Sequence, residues 1–325
     1  NSLGGSAVGR GLTVTTGGAV TVTGDNDAAI KSKATITAGR NVSIQNKSGN
    51  ATLNNDADIT SRGAVSITNT GSGLAVDGKL TVYNSGSVKV SGGNASAPAV
   101  SGDITLTSTG KMELSNPKGQ VTNKKLTVKN STGEVIVTGN KSGSTALVKC
   151  GASIDTTGAV TITNSSGPAI FGGLNVERSG GITVTGRQAS APIITGNSTI
   201  KDTNKVEIIN KDTLGQTAQN ITYTPPAGKG YFYQTAQNGG KLHTRSAISS
   251  TTILFFIFIR FLTKQCASLC FSSLCPVLVQ SRYRYSIPHF SALYKTFVLC
   301  RTARKAPPGL FFLCGLPPDF TFLCQ

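Results

Sequence analysis

This 325-residue chain has no tryptophan, one methionine and two histidines. His243 and His289 lie far apart in dissimilar segments, so the parts of a histidine metal site or a Ser/His/Asp or Cys/His catalytic set are missing. Acids are also scarce, 14 Asp and Glu against 31 Lys and Arg, for a formal net charge of +17. Residues 1–245 hold one of the seven cysteines and only Phe171 and Phe232 of the 13 phenylalanines. Residues 246–325 hold a single acid, Asp319. The alphabet changes near Arg245, and the two parts are read separately.

Each shortage removes a class of function. A polyanion binder clusters its cations and interleaves aromatics for stacking. Here Lys and Arg are spread thinly through turns, which argues against a nucleic-acid partner. A lone thiol in the first part cannot build a disulfide framework. Cys150 follows an inward Val148 by two and reads as a small buried thiol. No window of the first part carries the i, i+3, i+4, i+7 spacing of an amphipathic helix.

What the first part does have is repetition. Segments of the form GAVTITN begin at Gly18, Arg40, Gly63, Gly86, Gly110, Gly133, Gly158, Gly180 and Asn204, in steps of 22 to 25 residues. Two apolar positions alternate with polar ones in every copy, as in Val20/Val22, Val65/Ile67 and Val160/Ile162. That is a strand with one face inward, made of the Thr, Val and Ile that suit a pleated surface. A second apolar site precedes most copies by four residues (Val14, Ile36, Ile59, Val82), with Val128 five before its copy. A third lies six residues earlier (Ile30, Leu53, Val76, Val100), with Val121 seven before Val128. Each copy closes on Gly or Asn, from Gly24 and Asn46 to Asn210, which predicts a corner at positive φ and amides able to stack between rungs.

The intervals between apolar sites hold while repeat length varies, and the variation falls between the Gly/Asn corner and the third site. The pattern predicts an all-β chain: a parallel β-helix of about nine three-strand rungs over 1–220. A cap or linker follows at 221–245, where Pro225-Pro226 and Tyr231-Phe232-Tyr233 interrupt the pattern. Because Asn1 already stands within one repeat of the periodic region, a truncated or processed N-terminus is expected.

The copies GAVTITN and GGITVTG, with the intervening GLNV, GKLTV and SGDITL strands, resemble β-solenoid repeats of secreted and cell-surface bacterial proteins. These include the Gly/Thr/Asn-rich repeats of Firmicute surface proteins sometimes labelled carbohydrate-binding and, more distantly, filamentous-haemagglutinin-type adhesins. The resemblance spans about residues 10–222. It implies an extracellular or cell-surface location, an adhesive or spacing role, and surface glycans or other cell-surface proteins as partners.

Enzymes built on β-helices need carboxylates that converge, and on a solenoid that means acids at equal offsets in neighbouring rungs. Asp25 and Asp27, Asp56 and Asp58, Asp77, and Glu113, Glu134 and Glu207 do not share offsets in that way. No catalytic, cofactor-binding or metal-binding residue is therefore assigned. The cluster Asn54-Asn55-Asp56-Ala57-Asp58 reads as Asx turns in place of a Ca²⁺ loop. ASAP at 95–98 and 189–192 reads as a proline-set turn. A flat threonine array for ice fails, since only three of nine copies carry outward Thr/Thr and Lys89, Glu113 and Glu207 break it. Lys89 and Glu113 stand in successive rungs and are expected to pair. A glycan-binding module would need aromatic platforms, for which only Tyr83 and Phe171 are candidates.

In the last 80 residues, the apolar run 253–262 is too short for a membrane span and carries Arg260. Cys266, Cys270, Cys275, Cys300, Cys314 and Cys324 lack CxxC pairs and histidine partners. Residues 246–325 read as a non-native or disordered tail without a function.

Overall fold

Alternating small polar and β-branched residues over five- and six-residue stretches leave one outcome for the backbone, a set of short strands each with one buried face. The computed structural model describes residues 5–236 except Ser48, Thr213, Leu214 and 227–229. Among the described residues there is no helix, and 20 strands form two parallel ten-stranded sheets. The first sheet runs from Leu12–Thr16 to Ala218–Thr224 and the second from Val20–Gly24 to Tyr231–Ala236. Consecutive strands belong to different sheets, and each strand pairs with the one a full circuit later. The fold is a parallel β-solenoid.

The third strand is one residue long in every rung but the eighth, where Ile194 opens the strand Ile194–Lys201. Val8, Ile30, Leu53, Val76, Val100, Thr122, Val148, Ile170 and Ile194 form a ladder of single parallel bridges. Around each bridge the amides still find partners. Ile30 N donates to Thr52 O at 3.1 Å, and Asn54 N donates back to Ile30 O at 3.0 Å.

Inside the circuit the three ladders meet. In the seventh rung Ala152, Ile154, Val160, Ile162, Ala169 and Ile170 are all buried, and equivalent side chains continue above and below. Val160 stacks on Val135 and Ile182, and Ile162 on Val137 and Val184. Burying each such side chain contributes about 1.5–3 kcal/mol, and only a neighbouring rung supplies the cover.

At four points the structure departs from the sequence pattern. At the third site of the fifth rung the bridge residue is Thr122, six before Val128, so the six-residue interval holds throughout. Val121 is buried one position earlier, in a second inward column with Ala29, Ala75, Ala99, Leu147 and Ile193. Thr122 tolerates the core because its hydroxyl donates to Gly102 O at 3.1 Å. Cys150 is exposed, because alternation cannot carry from a one-residue strand into the turn that follows it. Its thiol faces Asn123 O at 3.2 Å.

The closing Gly/Asn column does not take positive φ at any of its nine positions; positive φ in non-glycine residues occurs at Asn84, Asn130 and Asp202. At Asn84 and Asn130 the left-handed residue sits in a bulge of the first sheet. The closing glycines are there for space. A methyl at Gly24 or Gly92 would lie 2.8 Å from the Cα of Ala29 or Ala99. One at Gly186 would lie 2.9 Å from Ile193 Cβ. The asparagines are there for their amides, which bond to backbone carbonyls and not to each other. Asn164 Nδ2 donates to Pro168 O in its own rung at 2.7 Å and to Lys141 O in the preceding one at 3.0 Å. Asn116 and Asn210 do the same toward Asn94 O and Gln188 O, both at 2.8 Å. One amide thus ties two corner loops, and the rung before each of these three closes on Gly92, Gly139 or Gly186.

At the C-terminal end, Ala218–Thr224 and Tyr231–Ala236 extend both sheets by a further rung, with Pro225 and Pro226 following the first of them. Tyr223 and Phe232 turn inward with ring centroids 5.4 Å apart, and the Tyr223 hydroxyl donates to Thr203 O at 2.7 Å. The segment 221–236 is continuous with the solenoid. Residues 237–245 of the expected cap or linker and the tail 246–325 lie outside the described residues.

Candidate functional surfaces

A solenoid offers ligands its sheet faces and its corners. Outward positions of the first sheet are mostly small and hydroxylic, with Thr13, Thr35, Asp58, Thr105 and Thr127 in one column, interrupted by Thr81, which is buried. The second sheet carries a similar column through Thr68, Ser91, Ser115, Thr138, Thr163 and Thr185. Ser115 Oγ donates to Ser91 Oγ at 3.0 Å, so parts of this column are bonded between rungs.

The carboxylates disperse. Asp25 pairs with Lys47 at 3.3 Å, Asp58 with Lys33 at 3.0 Å, and Asp155 with Arg178 at 3.0 Å. Glu113 takes Lys111 at 3.6 Å, while Lys89, its register partner, forms no ion pair with it within 4.0 Å. The carboxylate is taken by Lys111, two residues earlier on the same outward side. Asp27 is the most tightly held, at 2.7 Å from Lys31 Nζ. That bond first, and the Ala28 amide next, keep its carboxyl below the ordinary value of 3.8.

The Asn54–Asp58 cluster splits across a turn and a strand. Asn55 Oδ1 accepts from Asp56 N at 2.8 Å, and Asp56 Oδ1 accepts from Lys79 N of the next rung at 2.7 Å. Asp58 points outward from Ala57–Ser61 toward Lys33. Among the described residues no three His, Cys, Asp or Glu side chains converge on a common point. Both histidines, the apolar run 253–262 and the six C-terminal cysteines lie outside the described residues. No helix among the described residues is long and apolar enough to cross a membrane.

Two surfaces have shape or chemistry beyond this background. The variable corner and the adjoining second sheet form a shallow groove lined by Ser91, Ser115, Pro117, Thr138, Gly139, Asn140 and Ser165. Its loops are held by Asx turns: Asn94 Oδ1 accepts from Ser96 N at 2.7 Å and Ala97 N at 2.8 Å, which fixes the first ASAP segment. The second surface is aromatic. Tyr231 and Tyr233 project from the last strand of the second sheet, 51 % and 43 % exposed, with nearly parallel rings. The sequence signal for them was alternation around Phe232, legible once that residue is placed inward. Of the two platform candidates read from the sequence, Tyr83 is exposed alone on the first sheet and Phe171 is half-buried in a turn.

No protein-family model, curated protein or solved structure matches this chain. Its class therefore rests on the architecture itself, an all-β parallel solenoid with one variable corner.

Proposed function

We propose that the solenoid is a structural and adhesive segment of a bacterial surface or secreted protein, with no catalysis of its own. The observation that carries this reading is the division of labour in the repeat. Both sheets pair from first strand to last, and length changes gather in the corner loops. Such a rod spans on the order of 40 Å at about 4.8 Å per rung and holds loops at fixed intervals. Its partners are then surface glycans or other cell-surface proteins, met outside the cell.

Mild proteolysis of intact source cells tests the placement. Fragments of the solenoid should be released while cytoplasmic proteins stay whole; a solenoid released only after lysis refutes it.

A second reading, a glycan-binding module working through the corner loops, is favoured by the hydroxyl-lined groove at Ser115, Thr138 and Asn140. Binding of the full chain to a glycan array separates it from a pure spacer. Turnover of acidic polysaccharides by the full chain would instead require a lyase or hydrolase, the least supported reading, since the carboxylates are dispersed into separate ion pairs.

A further inference from the structure

Three side chains among the large apolar and aromatic residues are exposed in the described solenoid, and two of them are neighbours. Tyr231 and Tyr233 stand two residues apart on one strand, with ring centroids 6.1 Å apart and planes inclined by 14°. Their strand is fixed from behind. Phe232 packs inward against Tyr223, and buried Gln234 bonds to the Thr217 hydroxyl. The pair is therefore a preformed aromatic surface that needs no ordering on contact.

The surroundings define what it fits. Across the sheet Lys205 is the register partner of Tyr231 and Glu207 that of Tyr233. Lys205 Nζ and Glu207 Oε1 are 3.0 Å apart, and Thr183 Oγ1 approaches Glu207 Oε2 at 3.5 Å. Behind Thr183 the same face continues as Thr161 and Thr163. The rings are thus set in hydroxyls and a neutralised charge pair. A protein hot spot prefers an apolar, water-excluding surround. A single-stranded nucleic acid would stack on the rings but needs free cations for its phosphates, and here a carboxylate sits beside them.

We infer that Tyr231 and Tyr233 form a binding site for a neutral, unbranched β-linked chain of gluco-configured hexopyranoses. In such sugars the ring substituents are equatorial, so both ring faces are C–H surfaces that stack on an aromatic ring. The rim hydroxyls then meet Glu207, Lys205 and Thr183, which offer both acceptors and donors. This site lies on the sheet face, apart from the corner groove, and stands whether or not the rod is a spacer.

The test uses the full chain, titrated with cellohexaose and with chitohexaose by calorimetry, and with a dT oligonucleotide as the competing class. The absence of tryptophan lets tyrosine fluorescence serve as a second readout. Saturable binding of at least one hexasaccharide is expected, weakened at least about tenfold in the Tyr231→Ala/Tyr233→Ala variant and kept in the Tyr231→Phe/Tyr233→Phe variant. Circular dichroism of both variants should match the parent, since neither ring lies in the core. Failure of both sugars to bind, or binding of the oligonucleotide alone, overturns the site. Sugar binding that survives the alanine double variant also overturns it, and returns the glycan to the corner groove.

Discussion

The solenoid turns from its first sheet into its second through a tight corner, and leaves the second through a wide one. The tight corner is a column of buried hydroxyls, Ser61, Ser85, Ser108, Ser131, Thr156, Ser179 and Thr203. They bond over short distances: Ser108 Oγ donates to Ser85 O at 3.0 Å, and Thr156 Oγ1 accepts from Gly158 N at 3.1 Å. The wide corner uses buried asparagines, whose longer amides reach carbonyls of two successive loops. A hydroxyl holds a short turn that varies by a single residue, whereas an amide with two donors accepts loops that differ widely in path. That difference is why most of the variation in repeat length gathers at the wide corner, while the tight one gains a single residue, between Val128 and Val135.

Insertions should reveal the contrast most strongly. A Gly-Ser pair placed between Thr157 and Gly158 would part the Thr156 hydroxyl from the Gly158 amide and push later strands off register. We expect a loss of about 3 kcal/mol or more in chemical denaturation. The same pair between Ser142 and Gly143, where Gly143 faces open space, should cost about 0.6 kcal/mol or less. Equal losses at the two sites would abolish the distinction.

Single methyl groups give the next largest effect. At the tight corner a Cβ on Gly133 would strike the carbonyl and Cα of Gly110, backbone against backbone. Gly133→Ala should therefore cost about 2–3 kcal/mol. Gly143→Ala at the wide corner meets no atom and carries only the penalty of its φ of 77°, about 1 kcal/mol. Thermal unfolding of the two variants side by side measures the gap.

Removing the corner groups themselves sharpens the comparison further. Asn164→Ala deletes bonds to Lys141 O and Pro168 O and the acceptor for Lys141 N, leaving corner backbone unpaired in two rungs. A cost of about 2 kcal/mol follows, with amide exchange rising in the sixth and seventh loops together. Ser108→Ala strips one hydroxyl and should cost about 1 kcal/mol, with exchange rising locally. If exchange in Asn164→Ala rises in one loop alone, the idea that an amide serves two rungs is wrong.

The sheets were legible in the sequence because alternation and constant intervals are geometric, and the core columns follow from them. Thr122 shows where hydrophobicity misleads and spacing does not, since the interval points to it while Val121 carries the more apolar side chain. The Ser/Thr column was hidden because a buried hydroxyl looks like an ordinary turn residue until its carbonyl partner is placed. The Gly/Asn column was visible, but its cause was not. Positive φ and tight packing both select glycine, and only the neighbouring Ala29 and Ala99 separate them. The tyrosine surface escaped because Tyr231-Phe232-Tyr233 reads as one aromatic cluster until the strand divides it into two faces.

The smallest expected effect is pH dependence, and it distinguishes the two ends of the rod. Tyr223 is buried in the last rung, and burial pushes its phenol above the ordinary value of 10.0. Its contribution is complete below that value and declines as pH rises through the folded pKa, because the unfolded chain ionises first. Asp27, in the first rung's wide corner, behaves oppositely. The Lys31 bond and the Ala28 and Ser6 donors hold it below 3.8, so its contribution is present above that value and disappears as pH falls through the folded pKa. Exposure and salt screening keep the acid effect the weaker of the two. Stability profiles taken from acid to alkali should flatten above pH 10 in Tyr223→Phe and below pH 4 in Asp27→Asn. An unchanged alkaline limb in Tyr223→Phe would move the buried phenol out of the last rung's energetics and leave its hydrogen bond to Thr203 O as a spectator.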